Sequence, residues 1–243
     1  MGRRVNWLQA FAELALLVLG VGLALAADAW NDARRERRTE AEYLISLQRD
    51  FEQTRANFVQ ALEGNRMVRD NDLAFLGALS GPPGSISEDS LNAHTQFAFW
   101  LYWFEPILGT YHDMVNSGSL PLLRSDSLRL ALAQFETDLA GLQLVVSEGW
   151  EQYNAIQAPF MIEQLNVRQF HSGEYRGLEF PAGGRSPDLS AYWSPEFANI
   201  LAVTVISRQD IIANGEEVLE SVDRILRLIE RARANSGAGD PVP

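Results

Sequence analysis

The chain contains no cysteine and no lysine among its 243 residues. Without cysteine it has no disulfides, no Cys-ligated zinc sites, no iron–sulfur clusters and no thiol nucleophiles. Without lysine it has neither Schiff-base chemistry nor a Walker-type phosphate loop, because both depend on a lysine amine. All 20 basic residues are therefore arginines, a bias that indicates a GC-rich bacterial genome.

Histidine is scarce, and motifs that carry catalysis are absent from the sequence. His94, His112 and His171 are scattered, and none lies three residues after a glutamate, as the ligands of di-iron bundles do. The sequence has no His-Glu-x-x-His zinc helix and no Gly-x-Ser-x-Gly nucleophile elbow. It therefore predicts no enzyme activity, no cofactor and no metal site.

The charge balance is acidic, with a formal net charge of −12 and 47 % hydrophobic residues. This composition predicts a folded core. It argues against a nucleic-acid partner, because phosphate binding needs a clustered basic face. The one dense basic cluster directly follows an apolar run, a position typical of charge that flanks a membrane span. It consists of Arg34, Arg35, Arg37 and Arg38.

The apolar run at residues 14–27, LALLVLGVGLALAA, carries no charge. Trp7 and Trp30 bracket it and lie about 35 Å apart along a helix, near the two edges of a hydrocarbon core of about 30 Å. Tryptophan at both interfaces is the aromatic-belt pattern. We therefore expect a tail at residues 1–6 and a transmembrane helix at 7–30, with the bilayer as partner. The expected interface residues are Trp7, Trp30, Arg34 and Arg35.

Two other interpretations of this run stay open. A cleaved secretion signal would use residues 24–26, Ala-Leu-Ala, as its cleavage site. Glu13 at the start of the apolar region argues against that interpretation. So does the lack of proline and glycine between residues 23 and 64, which lets one helix continue. A buried helix of a soluble protein fits poorly, because nothing polar interrupts residues 14–27.

The span itself contains candidates for helix association. Gly20 and Ala24 are four residues apart, as are Gly22 and Ala26, and this small-xxx-small spacing lets two backbones approach closely in lipid. Small residues are also simply common in an alanine-rich chain. Glu13 either reaches the interface or faces a partner helix with a functional role.

The side of the membrane on which the bundle lies is open. Two arginines precede the span and four follow it, which favours a cytoplasmic bundle by the positive-inside rule. Four acids are interspersed among those arginines. The expected location is a single-pass arrangement in the bacterial inner membrane.

Residues 31–235 have helical periodicity. Steps of three and four residues from Leu44 to Leu79 form an apolar seam with polar insertions at Asn65 and Asp72, as in coiled coils and bundles. Caps and breakers divide the remainder. The sequence predicts an all-α fold, an N-terminal transmembrane helix continuous with an elongated antiparallel helical bundle. Helices are expected at 31–79, 87–105, 107–117, 125–166 and 194–234, with a loop at 167–194 and a disordered tail at 236–243.

Two clusters attract functional hypotheses. Aromatic residues crowd the second predicted helix, where they fill the core or form a membrane-surface or ligand-binding patch. The patch residues would be Trp100, Tyr102 and Trp103. A polar cluster follows, for which capping or packing is the alternative to a functional role. It consists of Tyr111, His112 and Asp113.

Two stretches resemble a family of bacterial single-pass membrane proteins of unknown function. That family has an acid near the start of its span, a glycine-rich apolar run, then Asn-Trp-Asn-acid and a charged helix. Here residues 29–32, Ala-Trp-Asn-Asp, match from Trp30 onward and depart at Ala29. Residues 110–139 are similar to a second family segment through Tyr111, Ser117, Gly118, Leu120, Leu128, Arg129 and Leu132. The resemblance implies a retained anchor and implies no activity.

Two functions from different classes follow. The favoured hypothesis is a membrane-anchored bundle that acts by protein–protein association, either as a homo-oligomer or with a membrane protein partner. The alternative is a sensor-like bundle that binds a small ligand near the aromatic helix. That alternative requires a buried pocket lined by Trp100, Trp103 or Tyr111.

Overall fold

The computed structural model describes residues 7–165, 173–175, 178–180 and 189–237. The protein is all-α, as predicted, apart from one short antiparallel hairpin formed by β1 (Gly173–Tyr175) and β2 (Leu178–Phe180). Its helices are α1 (Trp7–Leu79), α2 (Glu88–Phe97), α3 (Gly109–Asn116), α4 (Asp126–Gln152), α5 (Ala158–Gln164) and α6 (Pro195–Gly237).

The first helix runs without a break from the apolar N-terminal run into the bundle. Its 73 residues span about 110 Å at 1.5 Å per residue. Every position of the predicted seam between Leu44 and Leu79 is buried, including the polar residues Thr54, Asn65 and Asp72. The seam packs inside the same chain, so it forms the core of the bundle and is not an exposed association surface.

The successive segments of the bundle, which we call its limbs, alternate in direction. Ion pairs of Arg55 with Asp223 and of Arg66 with Glu216 show that α6 runs antiparallel to α1. Hydrogen bonds of Ser221 to Asp138 and of Gln157, just after α4, to Thr204 show that α4 and α6 are also antiparallel. The chain returns between α1 and α4 through a second limb, residues 88–116, which comprises α2, an extended segment and α3. The result is an elongated up-down-up-down bundle.

The core has two parts along this length. The larger part, between α1, α3, α4 and α6, surrounds an edge-to-face contact of Phe51 with Phe135, whose ring centroids are 5.3 Å apart. The smaller part lies at the end furthest from the N-terminus and centres on Phe75 and Phe197, 5.6 Å apart. Aromatic pairs of this geometry add to the stability that burial alone provides.

The prediction of a second helix at 87–105 is wrong beyond Phe97. There α2 ends in a turn at residues 98–99, and we call residues 98–108, which lead from this turn to α3 without helix or strand, the strap. Phe99 has a φ of 71°, a left-handed backbone conformation that ends helical geometry. Aromatic residues have low helix propensity, and Pro106 disfavours a helical conformation in the residue before it. The backbone groups of the strap therefore need partners outside a helix.

Side chains of α1 supply several of those partners. Asn65 donates to the carbonyl oxygen of Tyr102 at 2.9 Å and accepts from its N–H at 3.4 Å. Thr54 accepts from the N–H of Ile107 at 2.8 Å and donates to its carbonyl at 3.3 Å. These contacts are five residues apart in the strap and eleven apart in α1. Both separations correspond to about 16 Å, because extended chain rises about 3.3 Å per residue and helix 1.5 Å.

Two glycines make room for the strap's inward-facing rings. A Cβ on Gly64 would lie 2.5 Å from the ring of Tyr102, and one on Gly215 would lie 2.7 Å from the ring of Phe104. The alternate residues 103, 105 and 107 are exposed, which is the two-residue period of an extended chain. A helix in place of the strap would not fit so closely against α1 and α6.

The predicted helix at 125–166 is present with one irregularity. It comprises α4, a π-turn at Tyr153–Gln157, and α5, which ends at Gln164. Pro159 lacks an N–H donor and its ring crowds the carbonyl four residues earlier, so a widened turn just before it accommodates the proline.

The remaining differences lie near the chain's C-terminal third. The predicted loop at 167–194 contains the β1–β2 hairpin and a 3₁₀ helix at Leu189–Trp193. The last helix, α6, continues to Gly237, three residues beyond its predicted end and into the predicted tail. The other tail predictions lie outside the described residues, at 1–6 and 238–243.

Candidate functional site

The N-terminal part of α1 extends beyond the bundle. A Cβ added to Gly20 or Gly22 would meet nothing within 4 Å, and Ala24 and Ala26 are exposed. None of the four predicted packing residues therefore packs against another element among the described residues. Among the described residues, one helix is long and apolar enough to cross a membrane, and its apolar stretch is not buried at all.

The residues predicted for the membrane interface lie on this same helix. The side chain of Trp30 is 64 % exposed, and the guanidinium of Arg34 lies 5.6 Å from its ring, in cation–π range. Arg35 approaches the carboxylate three residues before it at 4.0 Å. Trp7 is the first residue of α1 and Glu13 is in its second turn; the side chains of both lie outside the described part of the chain.

A buried polar centre lies where α1, α6 and the strap meet. Nη1 of Arg208 donates to Oδ1 of Asn65 at 3.0 Å, and Asn71 donates to Oδ1 of Asp72 at 3.3 Å. Arg208 is 5 % exposed and Asp72 is 0 % exposed. Within the described residues, Oδ2 of Asp72 and Nε of Arg208 have no hydrogen-bond partner.

The ionisation of this centre reflects its burial. Desolvation raises the pKa of Asp72 from 3.8 to about 7, although the Asn71 hydrogen bond and the Arg208 charge both lower it. Desolvation likewise lowers the pKa of Arg208, and the Asp72 charge partly offsets that effect. The Asp72 carboxyl therefore changes charge near neutral pH, and Arg208 links it to Asn65, which holds the strap.

A cavity of about 20 Å³ lies beside Arg208. It is bordered by Phe99 on the strap and by Trp150 and Tyr153 on the opposite side. Its volume accommodates one water molecule. The sensor hypothesis named Trp100, Trp103 and Tyr111 as pocket residues, and none of them borders this cavity.

The predicted surface aromatics divide between two environments. Trp103 is 54 % exposed, and its ring lies 6.0 Å from that of Trp150, which stacks on Tyr153 at 5.2 Å. Trp100 is also exposed. Tyr102 instead faces α1 against Gly64. These aromatics therefore do not form one patch.

The three residues of the predicted polar cluster at 111–113 have different surroundings. Tyr111 is buried, and its pKa rises to about 12, first because of burial and then because of the Glu136 carboxylate. His112 is exposed and lines a groove, with its ring 6.0 Å from that of Tyr111. Asp113 instead accepts a hydrogen bond from the Tyr43 hydroxyl of α1 at 3.4 Å.

That groove, of about 540 Å³, separates the second limb from α4. Its second-limb side consists of two strap residues and two residues in the first turn of α3. The groove was not predicted from the sequence, because it depends on how two segments that are distant in the chain pack together. The lining residues are Pro106, Leu108, Gly109 and His112 from the second limb and Glu136, Leu139, Ala140 and Gln143 from α4.

The histidines do not combine into a catalytic or metal site in the described part of the chain. No group of three or more His, Asp or Glu residues there could hold a metal ion. Nδ1 of His94 lies 2.9 Å from Oδ1 of Asn71, and its ring stacks on Phe75 at 4.9 Å. His171 lies outside the described residues.

Arg208 is the residue of the polar centre that sequence reasoning missed. A signal for it was present: Thr204, Arg208 and Ile211 follow one another at steps of four and three residues. That spacing places the arginine on the apolar stripe of α6. An arginine inside an apolar stripe indicates a buried polar partner. Here the partners are Asn65 and Asp72, the two polar residues already evident in the seam of α1.

Together these features define an all-α bundle with an exposed apolar N-terminal helix and a groove beside an extended second limb. Compared with family models, curated proteins and solved structures, the chain has no match. The resemblance to single-pass bacterial membrane proteins therefore stays a prediction.

Proposed function

We propose that this chain is a single-pass protein of the bacterial inner membrane whose bundle acts by association, with a membrane protein partner or a second copy, and not as an enzyme. The observation that carries this proposal is the continuity of α1. Its N-terminal part exposes apolar side chains that the described residues leave unburied, and the same helix continues directly into the buried seam. Lipid would cover the exposed part.

Association would use surfaces other than the seam. The seam side chains pack against α3, α4 and α6 within one chain, so they are not available to a second copy. The surfaces that remain include the small-residue positions of the span, Gly20, Gly22, Ala24 and Ala26, and the groove beside the strap. Small residues permit close helix packing in lipid.

Anchoring is tested by washing membranes with alkaline carbonate and measuring the intact mass of the retained protein. We expect the chain in the membrane pellet at full mass. Mature protein that starts near Ala27 and is freely soluble would contradict the anchor and support the cleaved signal. Reporter fusions at the C-terminus, read on both sides of the membrane, assign the side, for which we expect the cytoplasm.

Self-association is tested by a cysteine scan, for which the chain offers a background free of native cysteine. Single cysteines at residues 19–26 are oxidised in native membranes, and the disulfide-linked dimer is quantified. We expect maxima at one of the small-residue pairs, either 20 and 24 or 22 and 26. No dimer at any of these positions would exclude self-association through the span and leave a partner protein.

A further inference from the structure

The strap presents an open backbone edge to the groove. Both backbone groups of Ile107 bond to Thr54 on α1. Backbone groups of consecutive residues in an extended chain point to opposite sides, so the carbonyl of Pro106 and the N–H of Leu108 point away from α1. Both residues line the groove. In the described part of the chain, neither group has a hydrogen-bond partner.

A carbonyl and an N–H two residues apart are the pair with which one residue of an added parallel strand would bond. The groove's remaining surface suits such a strand. Leu108, Leu139 and Ala140 provide apolar contact, and a volume of about 540 Å³ lies within the usual range for binding sites.

The charge around the groove selects the kind of partner. Residues 80–165, which include the second limb, α4 and α5, contain ten acidic residues and two arginines. They carry a formal charge of −8 out of the total of −12. Residues 31–79 of α1 are nearly balanced, with nine acids and eight arginines. Glu136 lines the groove, no arginine does, and Glu105 and Asp113 are exposed nearby on the second limb.

We propose that the groove between Pro106–His112 and Glu136–Gln143 binds a basic, partly apolar peptide segment of a partner protein, which adds to the strap as an extended strand. This inference rests on the proposed function in that it names the partner class of an associating bundle. Anionic ligands and anionic lipid surfaces are repelled by the acidic face. A small organic cation would match the charge but leave the backbone edge unpaired.

The test uses the purified full-length chain in uncharged detergent micelles. The probe is a capped, fluorescent synthetic peptide of alternating arginine and valine, measured by fluorescence anisotropy. We expect saturable binding that weakens as salt increases. We expect no binding of the glutamate–valine counterpart, and no competition from arginine amide at equal concentration.

Two variants locate the binding site. Glu136→Arg should weaken binding at least about tenfold, because it reverses a lining charge. Glu148→Arg makes the same charge change at an exposed position of α4 that does not line the groove, and should leave affinity within about twofold. Ala140→Trp fills the groove without changing charge and should abolish binding while circular dichroism shows unchanged helix content.

Several outcomes would overturn the proposal. These are no saturable binding of the arginine–valine peptide, equal binding to the Glu136→Arg and Glu148→Arg variants, or equal affinity for arginine amide. Because peptide binding is measured in micelles and anchoring in membranes, failure here leaves the carbonate and mass measurements unaffected. A soluble, cleaved protein that still binds the peptide would contradict the membrane anchor and leave the peptide-binding proposal standing.

Discussion

The two ends of α1 share one continuous helical backbone and differ in what covers their side chains. Between Leu44 and Leu79 every seam position is buried by other elements of the bundle. From Leu16 to Trp30 every side chain is exposed, and most of them are apolar. The backbone hydrogen bonding is the same at both ends, so the difference lies entirely in the side chains and their surroundings.

This difference means that the two parts of one helix depend on different surroundings. The seam half is stabilised by tertiary packing, as most helices of globular proteins are. In the N-terminal half the apolar surface is not covered by any of the described residues, and its exposure to water costs roughly 25 cal/mol per Å². A change in one half should therefore affect folding, and a change in the other should affect membrane retention.

The largest expected effect is on the buried half. Phe51→Ala removes a fully buried ring that packs on Phe135 and should lower the free energy of unfolding by about 3–5 kcal/mol. Urea unfolding followed by circular dichroism measures it. Leu130→Ala, at an exposed position of α4, is the control and should change little. Equal effects from the two variants would contradict the core assignment.

Membrane retention should depend on the apolar character of the exposed half. Leu19→Arg places a charge near the centre of the apolar segment, where insertion costs about 2.5–3.5 kcal/mol for arginine. We expect less protein in the carbonate-washed membrane pellet. The unfolding midpoint of the bundle should stay unchanged, and Leu19→Ile should behave as the wild type. A lowered unfolding midpoint would mean that this half does contribute to the bundle.

A smaller effect should come from the contact between the strap and α1. Gly64→Ala introduces a Cβ 2.5 Å from the Tyr102 ring, and overpacking of this kind costs about 1–3 kcal/mol. Tryptophan fluorescence should also shift, because Trp103 lies on the displaced segment. The matched control is Gly77→Ala, in the same helix with nothing within 4 Å, which should stabilise by about 0.5–1 kcal/mol. Similar destabilisation by both would argue against a strap packed on Gly64.

The buried half should also show a dependence of its stability on pH. The pKa of Asp72 is raised from 3.8 to about 7 by burial, so between these values the folded state binds a proton that the unfolded state has released. Stability should therefore fall as pH rises from about 4 to 7, by at most about 1.4 kcal/mol per pH unit. Asp72→Asn should flatten this part of the profile, and exposed Asp70→Asn should not. An unchanged slope in Asp72→Asn would show that the carboxyl does not titrate in this range.

Most of the bundle was predictable because its signal is local. The seam of α1 follows a three- and four-residue step, and the predicted seam positions are buried. Apolar residues that follow one another at the same steps along α4 and α6 are also buried, except Trp150 and Val203, which are exposed. Those two positions lie at the margins of their stripes, where the neighbouring limb decides burial.

The candidate sites were less predictable because they depend on distant residues. Asn65 and Asp72 were visible as polar insertions in the seam. The hydrogen-bond partners of Asn65 were not, because Tyr102 and Arg208 lie 37 and 143 residues further along the chain. Tyr111, His112 and Asp113 are adjacent in sequence, but Tyr111 is buried and the other two are exposed. Adjacency in the chain therefore does not show which contacts a side chain makes, and the buried polar centre depends on pairing over long range.

By itself, the sequence determined most of the helical segments, where α1 carries its apolar face and that its first part has no polar interruption. Periodicity, caps and breakers act over a few residues and need no knowledge of the fold. Only the tertiary structure decided that residues 98–108 are not helical and that the strap is extended between Tyr102 and Ile107. That conformation is favourable because Gly64 and Gly215 leave room for two rings and side chains of α1 satisfy strap backbone groups, a balance that no local rule contains.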